Sequence, residues 1–191
     1  YYDYEKLTDL DSNYLKDKKV GVLNSSESSE IEKGLIKKVK KVLEAKGAVI
    51  VDVEFNISSD YKAAKEFYVL LYEFNMGMKS YLEGRDLPYE TLEDIVEFNK
   101  ANADTVLKHF GQEIFIESLK ATDTERYLKE REDIGRLAKA QIDSVLEANN
   151  LDVIIGLTRN PGWLTDLENG DSRGDGGISW ANGGLSAVAG Y

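Results

Sequence analysis

The sequence has no cysteine, two prolines and one histidine among its 191 residues. A chain without cysteine has no disulfide, no thiolate metal site and no cysteine nucleophile. Its apolar runs are all shorter than the roughly 18 residues that a membrane span needs, so a membrane is not an expected partner. Acidic side chains (35) outnumber basic ones (24), and a net charge of −11 would repel phosphate. Nucleic acid is therefore not an expected partner either.

The rest of the composition is that of a soluble globular protein. With 42% apolar and 10% aromatic residues, the chain is long enough to bury a core, and we expect a single domain over residues 1–191. The first 20 residues are charged and rich in tyrosine, unlike a signal peptide. Any such signal would lie upstream of Tyr1, and a cytoplasmic location is the expectation.

Residues 15–150 have the pattern of regular α/β structure. The run Lys18–Leu23 is typical of a buried strand, and Ser29 with Glu32 has the spacing of a helix capping box. Gly47 is expected to end that helix, and Ala48–Phe55 is rich in β-branched residues. The three segments predict a βαβ unit with parallel strands. The apolar residues of the helix are expected on its buried face: Ile31, Leu35, Ile36, Val39, Val42 and Leu43.

The next ninety residues read as a helical cover. One long helix is predicted from near Asp60 to Leu82, and Thr91 with Asp94 predicts the start of a shorter one that ends near Phe98. The buried face of the long helix is expected to hold Phe67, Leu70, Leu71, Phe74 and Met78. Further helices are expected over Asp104–His109 and Gln112–Ala121. A second capping box, Thr122 with Glu125, predicts a helix that reaches about Asn149.

A third strand and an unusual tail complete the chain. Leu151–Leu157 is apolar at its centre, which favours an interior strand. Residues 156–191 hold 9 of the 16 glycines and both tryptophans but no lysine, which predicts a structured Gly/Trp-rich loop region rather than a linker. Its apolar end, Ala187–Tyr191, predicts a strand or core segment that has been cut. The fold class is therefore α/β, with a βαβ unit, a helical cover and a third strand.

Several motifs, taken in order, resemble the amidase signature family and its peptide-amidase branch. The ones that carry this resemblance are LKDKKVGVL at Leu15–Leu23, AKGAVIVDV at Ala45–Val53, TLEDIVEFN at Thr91–Asn99 with FGQE at Phe110–Glu113, the stretch Thr158–Asp166, NGD at Asn169–Asp171 and AVAGY at Ala187–Tyr191. They match the C-terminal portion of the family only. The resemblance implies a mixed sheet flanked by helices and an enzyme that hydrolyses amide bonds.

The resemblance also implies where the catalytic residues lie. Members of the family use a nucleophilic Ser, a second Ser joined by a cis peptide bond and a Lys, all in the N-terminal half near a loop rich in glycine and serine. This sequence has no such loop. Ser25-Ser26 has no flanking glycine to build an oxyanion hole, and Gly176-Gly177-Ile178-Ser179 has one serine only. We therefore expect no catalytic residue here and an inactive segment, whose partners are the N-terminal catalytic half of the same protein and a small amide substrate.

Three residues after the third strand are the candidates for binding that substrate. Thr158, Asn160 and Trp163 follow Leu151–Leu157, and ligands of α/β sheets gather beyond the carboxyl ends of the strands. Trp163 could equally be a core residue. The alternative interpretation is a non-catalytic α/β module that binds a small molecule or a protein through its aromatic tail.

No cofactor and no metal is expected. The acidic loop from Asp166 to Asp175 places its glycine one position early for an EF-hand calcium loop. The single histidine, His109, has no second ligand nearby in the sequence and reads as a helix-end residue.

Overall fold

The structure, a computed structural model, describes residues 13–23, 30–55, 58–63, 66–157, 167 and 182–191. Its elements are, in chain order, β1 (Lys19–Leu23), α1 (Glu30–Ala45), β2 (Val49–Val53), α2 (Ser59–Ala63), α3 (Glu66–Leu82), α4 (Leu92–Ala101), α5 (Ala103–Val106), α6 (Glu113–Lys120), α7 (Thr124–Asn149), β3 (Val153–Ile155) and α8 (Asn182–Ala189). The predicted fold class is confirmed, since a small parallel sheet is flanked by helices.

The described residues form two compact units. The first, here called the sheet unit, comprises those up to Ser58, those from Leu137 to Leu157 and those from Asn182 onwards. The second, the helical unit, comprises those between Ser59 and Arg136 together with Leu167. Helix α7 contributes residues to both.

The sheet has the strand order β2-β1-β3, and both pairings are parallel. Val20 pairs with Ile50 on one side and with Val153 on the other. The middle strand β1 is the most deeply buried element, and the core around it consists of Val20, Val22, Leu23, Ile36, Ala48 and Val53. The predicted βαβ unit is thus present, with α1 as the crossover between β1 and β2.

Helix α1 ends where the sequence predicts. Gly47 has φ +85°, which favours glycine, and the Ala48 N–H donates to the Leu43 carbonyl at 3.1 Å. The capping residue Ser29 lies outside the described residues. The predicted buried face is wrong in part, because of its six residues only Ile36 is buried and Leu43 is half-buried. The other four are exposed, namely Ile31, Leu35, Val39 and Val42. The apolar sector of the helix is wider than the part of it that the sheet covers.

Strand β3 is shorter than predicted, and its predicted interior position is wrong for the described part of the chain. Among the described strands it pairs with β1 alone and lies at the sheet edge. Asp152 fixes its start, because Oδ2 accepts from the Lys19 N–H at 2.8 Å and Oδ1 accepts from Lys18 Nζ at 2.9 Å. These bonds, the one from Lys18 foremost, lower the pKa of Asp152. A strand with interior composition at an edge leaves apolar side chains partly uncovered, as at Val153.

In the helical unit, the predicted long helix is described as α2 and α3, with residues 64 and 65 outside the described set. The predicted buried face of α3 is wrong in part, since Leu71 and Met78 are half-buried but Phe67, Leu70 and Phe74 are exposed. The buried residues of α3 are Val69 and Leu82. Residues 67–72 are all apolar or aromatic, so the pattern does not single out one face. Helix α3 packs on α6, where the rings of Phe74 and Phe115 lie 5.3 Å apart.

The two motifs TLEDIVEFN and FGQE are hydrogen-bonded to each other in this unit. Thr91 caps α4 with the predicted box: Thr91 Oγ1 accepts from the Asp94 N–H at 3.2 Å, and Asp94 Oδ2 accepts from the Thr91 N–H at 2.9 Å. At the other motif, Asn99 Nδ2 donates to Gln112 Oε1 at 3.0 Å, and Gln112 Nε2 donates to the Val96 carbonyl. The side chain of Gln112 therefore ties the start of α6 to α4.

Three helix boundaries differ from expectation. Helix α4 runs on to Ala101, and the helix expected over Asp104–His109 is the single turn α5. Helix α7 begins at Thr124 with Asp123 as its cap, not Thr122, because Asp123 Oδ1 accepts from the Arg126 N–H at 2.9 Å. A cap one residue later still satisfies the first free N–H groups of the helix.

The described end of the Gly/Trp-rich region is helical. Residues 182–189 form α8, where the sequence predicts loop structure ending in a strand or core segment; Leu185 is nevertheless buried. Gly190, at φ +79°, ends the helix, and the Tyr191 N–H donates to the Ser186 carbonyl at 3.0 Å. Within the ranges that the structure describes, no helix combines the length and the apolar character that crossing a membrane requires.

Candidate functional site

The sheet unit contains an apolar cleft of about 580 Å³ beside the carboxyl ends of the strands. Leu23, the last residue of β1, lines it together with Phe55, which follows β2, and Gly156, which follows β3. Because the strands are parallel, these three residues lie together at the carboxyl end of the sheet, where α/β proteins usually bind their ligands.

The rest of the wall of the cleft comes from strand β3 itself and from helices α7 and α8. Ile142 and Leu146 of α7 and Leu185 of α8 supply aliphatic side chains. Ile142 and Leu185 are themselves buried, so this wall is held by core packing. Such a volume and lining suit a small ligand with an apolar part.

A polar cluster around Tyr191 borders the cleft. The Tyr191 hydroxyl donates to Asp143 Oδ1 and accepts from Lys139 Nζ, and Lys139 Nζ lies 3.2 Å from an oxygen of Asp143. The bond from Tyr191 lowers the pKa of Asp143, and the bond to Tyr191 raises that of Lys139. At neutral pH Lys139 is therefore charged and donates hydrogen bonds rather than removing a proton. The cluster positions the Tyr191 ring at the cleft wall.

The three predicted binding residues, Thr158, Asn160 and Trp163, lie outside the described residues. The described chain reaches Leu157, one residue beyond Gly156 in the cleft wall. Their role in substrate binding therefore stays a prediction.

Sequence reasoning missed the described residues of the cleft. Phe55 could have been found by the same strand-end argument that selected Thr158, because it follows β2 by two residues. Ile142 and Leu185 carry no such signal, since an apolar residue on a helix is usually core. Tyr191 carries none either, because it follows helix α8 and not a strand. In the described part of the chain no three acidic, histidine or cysteine side chains are grouped as a metal site would require, and His109 is exposed.

Neither protein-family models nor curated proteins include a match to this chain. Solved structures do match over all of its length: a peptide amidase crystallised with the competitive inhibitor chymostatin, at 32% identity and a TM-score of 0.81, and the native peptide amidase of Stenotrophomonas maltophilia, at 30% and 0.79. An amidase family protein of Bacillus anthracis matches at 25% identity and a TM-score of 0.72. The chain resembles the peptide amidases. The resemblance predicted from the sequence is thus confirmed.

The likeness to the peptide amidases covers only part of those enzymes. The chain spans 38% of the inhibitor complex, 37% of the Stenotrophomonas enzyme and 33% of the Bacillus protein. The sequence prediction of a portion of an amidase is consistent with these fractions.

Proposed function

We propose that this chain is the C-terminal portion of an amidase, an enzyme that hydrolyses carbon–nitrogen bonds of amides. The observation that carries the proposal is the peptide-amidase match, which takes in all of this chain at 32% identity. The sequence motifs agree with the proposal, and Asn99 and Gln112, which belong to two of them, are hydrogen-bonded in the structure.

The catalytic residues belong, in this proposal, to the remainder of the enzyme. A nucleophilic serine attacks the amide carbonyl, a lysine accepts its proton through a bridging serine, and backbone N–H groups stabilise the oxyanion. In the described residues, the lysine beside the cleft, Lys139, is held in its charged form by Tyr191 and Asp143. It would therefore not serve as the base, and the segment by itself would be inactive.

The contribution of this chain is one wall of the substrate pocket. The apolar cleft at the strand ends would receive the apolar part of a small amide. Thr158, Asn160 and Trp163 are the proposed substrate-binding residues. Leu23, Phe55 and Gly156 support this arrangement, since each lies at or just after the carboxyl end of a strand and all three line the cleft. No cofactor takes part in the proposed reaction.

The test is hydrolysis of a peptide amide by the polypeptide encoded by the whole reading frame that contains this chain. Asn160→Ala and Trp163→Ala should each raise KM at least several-fold, because each removes a contact to the substrate. Thr105→Ala, on the exposed turn α5 of the helical unit, is the matched control and should leave KM unchanged. Unaltered KM in both pocket variants would refute the assigned role, and an absence of amide hydrolysis would refute the proposed function.

A non-catalytic binding module is the second candidate, and the apolar cleft is the observation that favours it. Binding of a small amide with no turnover by the whole encoded polypeptide would support this candidate instead.

A further inference from the structure

Helix α1 carries a stripe of exposed aliphatic side chains. The exposed fractions are 68% for Ile31, 44% for Leu35, 37% for Val39 and 62% for Val42. Their spacing places them on one side of the helix, and they are called the α1 stripe below. Scattered exposed aliphatic residues are ordinary, but four in one row form a surface that favours contact with protein.

The packing of α1 within its own unit does not need this stripe. The neighbouring side of the helix, with Glu32 and Ile36, is buried, and Leu43 is half-buried. Lys40 forms an ion pair with Asp52 of β2. The helix is therefore already fixed on the sheet, and the α1 stripe lies beside the contact that fixes it.

The position of Lys40 shows which way the stripe faces. Lys40 reaches β2, and the α1 stripe lies on the other side of the helix, so the stripe faces the side of the sheet where β3 lies. Val153 of β3 pairs with Val20, so the two side chains lie on the same face of the sheet. Val22 lies two residues along β1 and pairs with Asp52, so both share that face, which is the one toward α1. Val153 is 43% exposed. The α1 stripe and Val153 thus border one uncovered strip beside the helix, where an α/β layer would hold its next helix.

We infer that a helix from the remainder of the longer polypeptide covers the α1 stripe. This inference rests on the proposed function, since it takes the chain to be a portion of an amidase. Most of the length of the matched peptide amidase lies outside the part that this chain spans, so the remainder is long enough to supply a helix.

Charge favours that occupant over a second copy of this chain. Lys38 is exposed and flanks the α1 stripe, and α1 carries five lysines against three glutamates. Two copies of α1 brought together along the stripe would repel each other, whereas a helix bordered by carboxylates would be attracted. The covering helix is accordingly expected to be aliphatic with an acidic rim.

The absence of cysteine from this chain makes the surface testable by thiol labelling. Leu35→Cys and Val42→Cys report on the stripe, and Lys37→Cys, exposed on the opposite side of the same helix, is the matched control. Each is made in the polypeptide of the whole reading frame. Alkylation of each cysteine is followed by mass spectrometry of the peptide that contains it, both in native buffer and in concentrated urea.

We expect native alkylation of both stripe cysteines to be at least tenfold slower than that of the control, with equal rates in urea. Two stripe positions guard against a local fault in either variant. Stripe cysteines as reactive as the control in native buffer would overturn the inference. Protection that disappears on dilution would also overturn it, because it would mean that a second copy covers the stripe.

Amide hydrolysis by the same samples separates the two claims. Turnover with an unprotected stripe would refute only the inference, and a protected stripe without turnover would refute only the proposed function.

Discussion

The same substitution at two glycines should change stability in opposite directions. Gly21 lies in the middle of β1, and a Cβ built there would lie 2.6 Å from Leu151 Cδ1, 3.3 Å from Val53 Cγ2 and 3.4 Å from Ile154 Cγ1. Gly34 lies in α1, and a Cβ there would have no atom within 4 Å. Gly21→Ala therefore adds a methyl group to a filled core, and Gly34→Ala adds one to open space.

The expected magnitudes follow from those surroundings. Overpacking a core costs about 1–3 kcal/mol, and Gly21→Ala should fall toward the lower end, because Leu151 Cδ1 is the end of a side chain that can rotate. The two other contacts come from the neighbouring strands and yield less. Replacing glycine by alanine inside an exposed helix raises the free energy of unfolding by about 1 kcal/mol. The two variants should thus differ by about 2 kcal/mol or more in the free energy of unfolding.

Urea unfolding followed by far-ultraviolet circular dichroism measures both effects. With an unchanged slope m, the midpoint should fall for Gly21→Ala and rise for Gly34→Ala. Equal midpoints, or a Gly21→Ala protein more stable than the wild type, would refute the close packing of Gly21 between Leu151 and the flanking strands.

Three further predictions concern hydrogen bonds. Thr91→Ala removes a cap of α4 and should cost about 1 kcal/mol in urea unfolding, whereas Thr105→Ala on α5 should cost much less; equal losses would contradict the capping role. The folded-state pKa of Asp152 is lowered, so its contribution to stability is present above its unfolded pKa of about 4 and is lost as pH falls through its folded pKa. Asp152→Asn should therefore make the loss of stability below pH about 4 less steep, and an unchanged loss of stability in acid would contradict this. Tyr191→Phe should raise the pKa of Asp143 in an NMR pH titration, because the bond that chiefly lowers it is gone; an unmoved pKa would show that the bond is absent in solution.

The fold was predictable where local chemistry alone decides it. The β1–α1–β2 unit follows from an apolar run, a helix and the glycine that ends it, and Gly47 takes the φ value that its position requires. The Thr91 capping box was likewise readable, because its two partners lie three residues apart. The end of α1 and the capping box each depend on residues close together in the sequence.

Burial was the part that the sequence could not give. An apolar residue on a helix is buried only if another element covers it, and Leu35 and Leu70 are exposed although both were expected in the core. The apolar composition of β3 predicts an interior strand for the same reason, but among the described strands β3 lies at the edge of the sheet. These three errors concern surfaces that a larger assembly could cover.

The strand-end rule points to the end of the sheet where the cleft lies, since Leu23 and Gly156 both line it. The rule does not identify the other residues that line the cleft. The Tyr191 cluster forms only because α7 and α8 meet in the fold. Tyr191 is separated from Asp143 by 48 positions and from Lys139 by 52, and no sequence pattern predicts a contact over such separations.

The measurement that tests the central claim most directly is covalent labelling with a serine-reactive fluorophosphonate probe, run alongside a peptide-amide hydrolysis assay. The polypeptide of the whole reading frame should hydrolyse the amide and carry the label on a serine outside Tyr1–Tyr191, and the 191-residue chain alone should do neither. A label on a serine within these 191 residues would contradict the account, and so would a full polypeptide that leaves the amide intact.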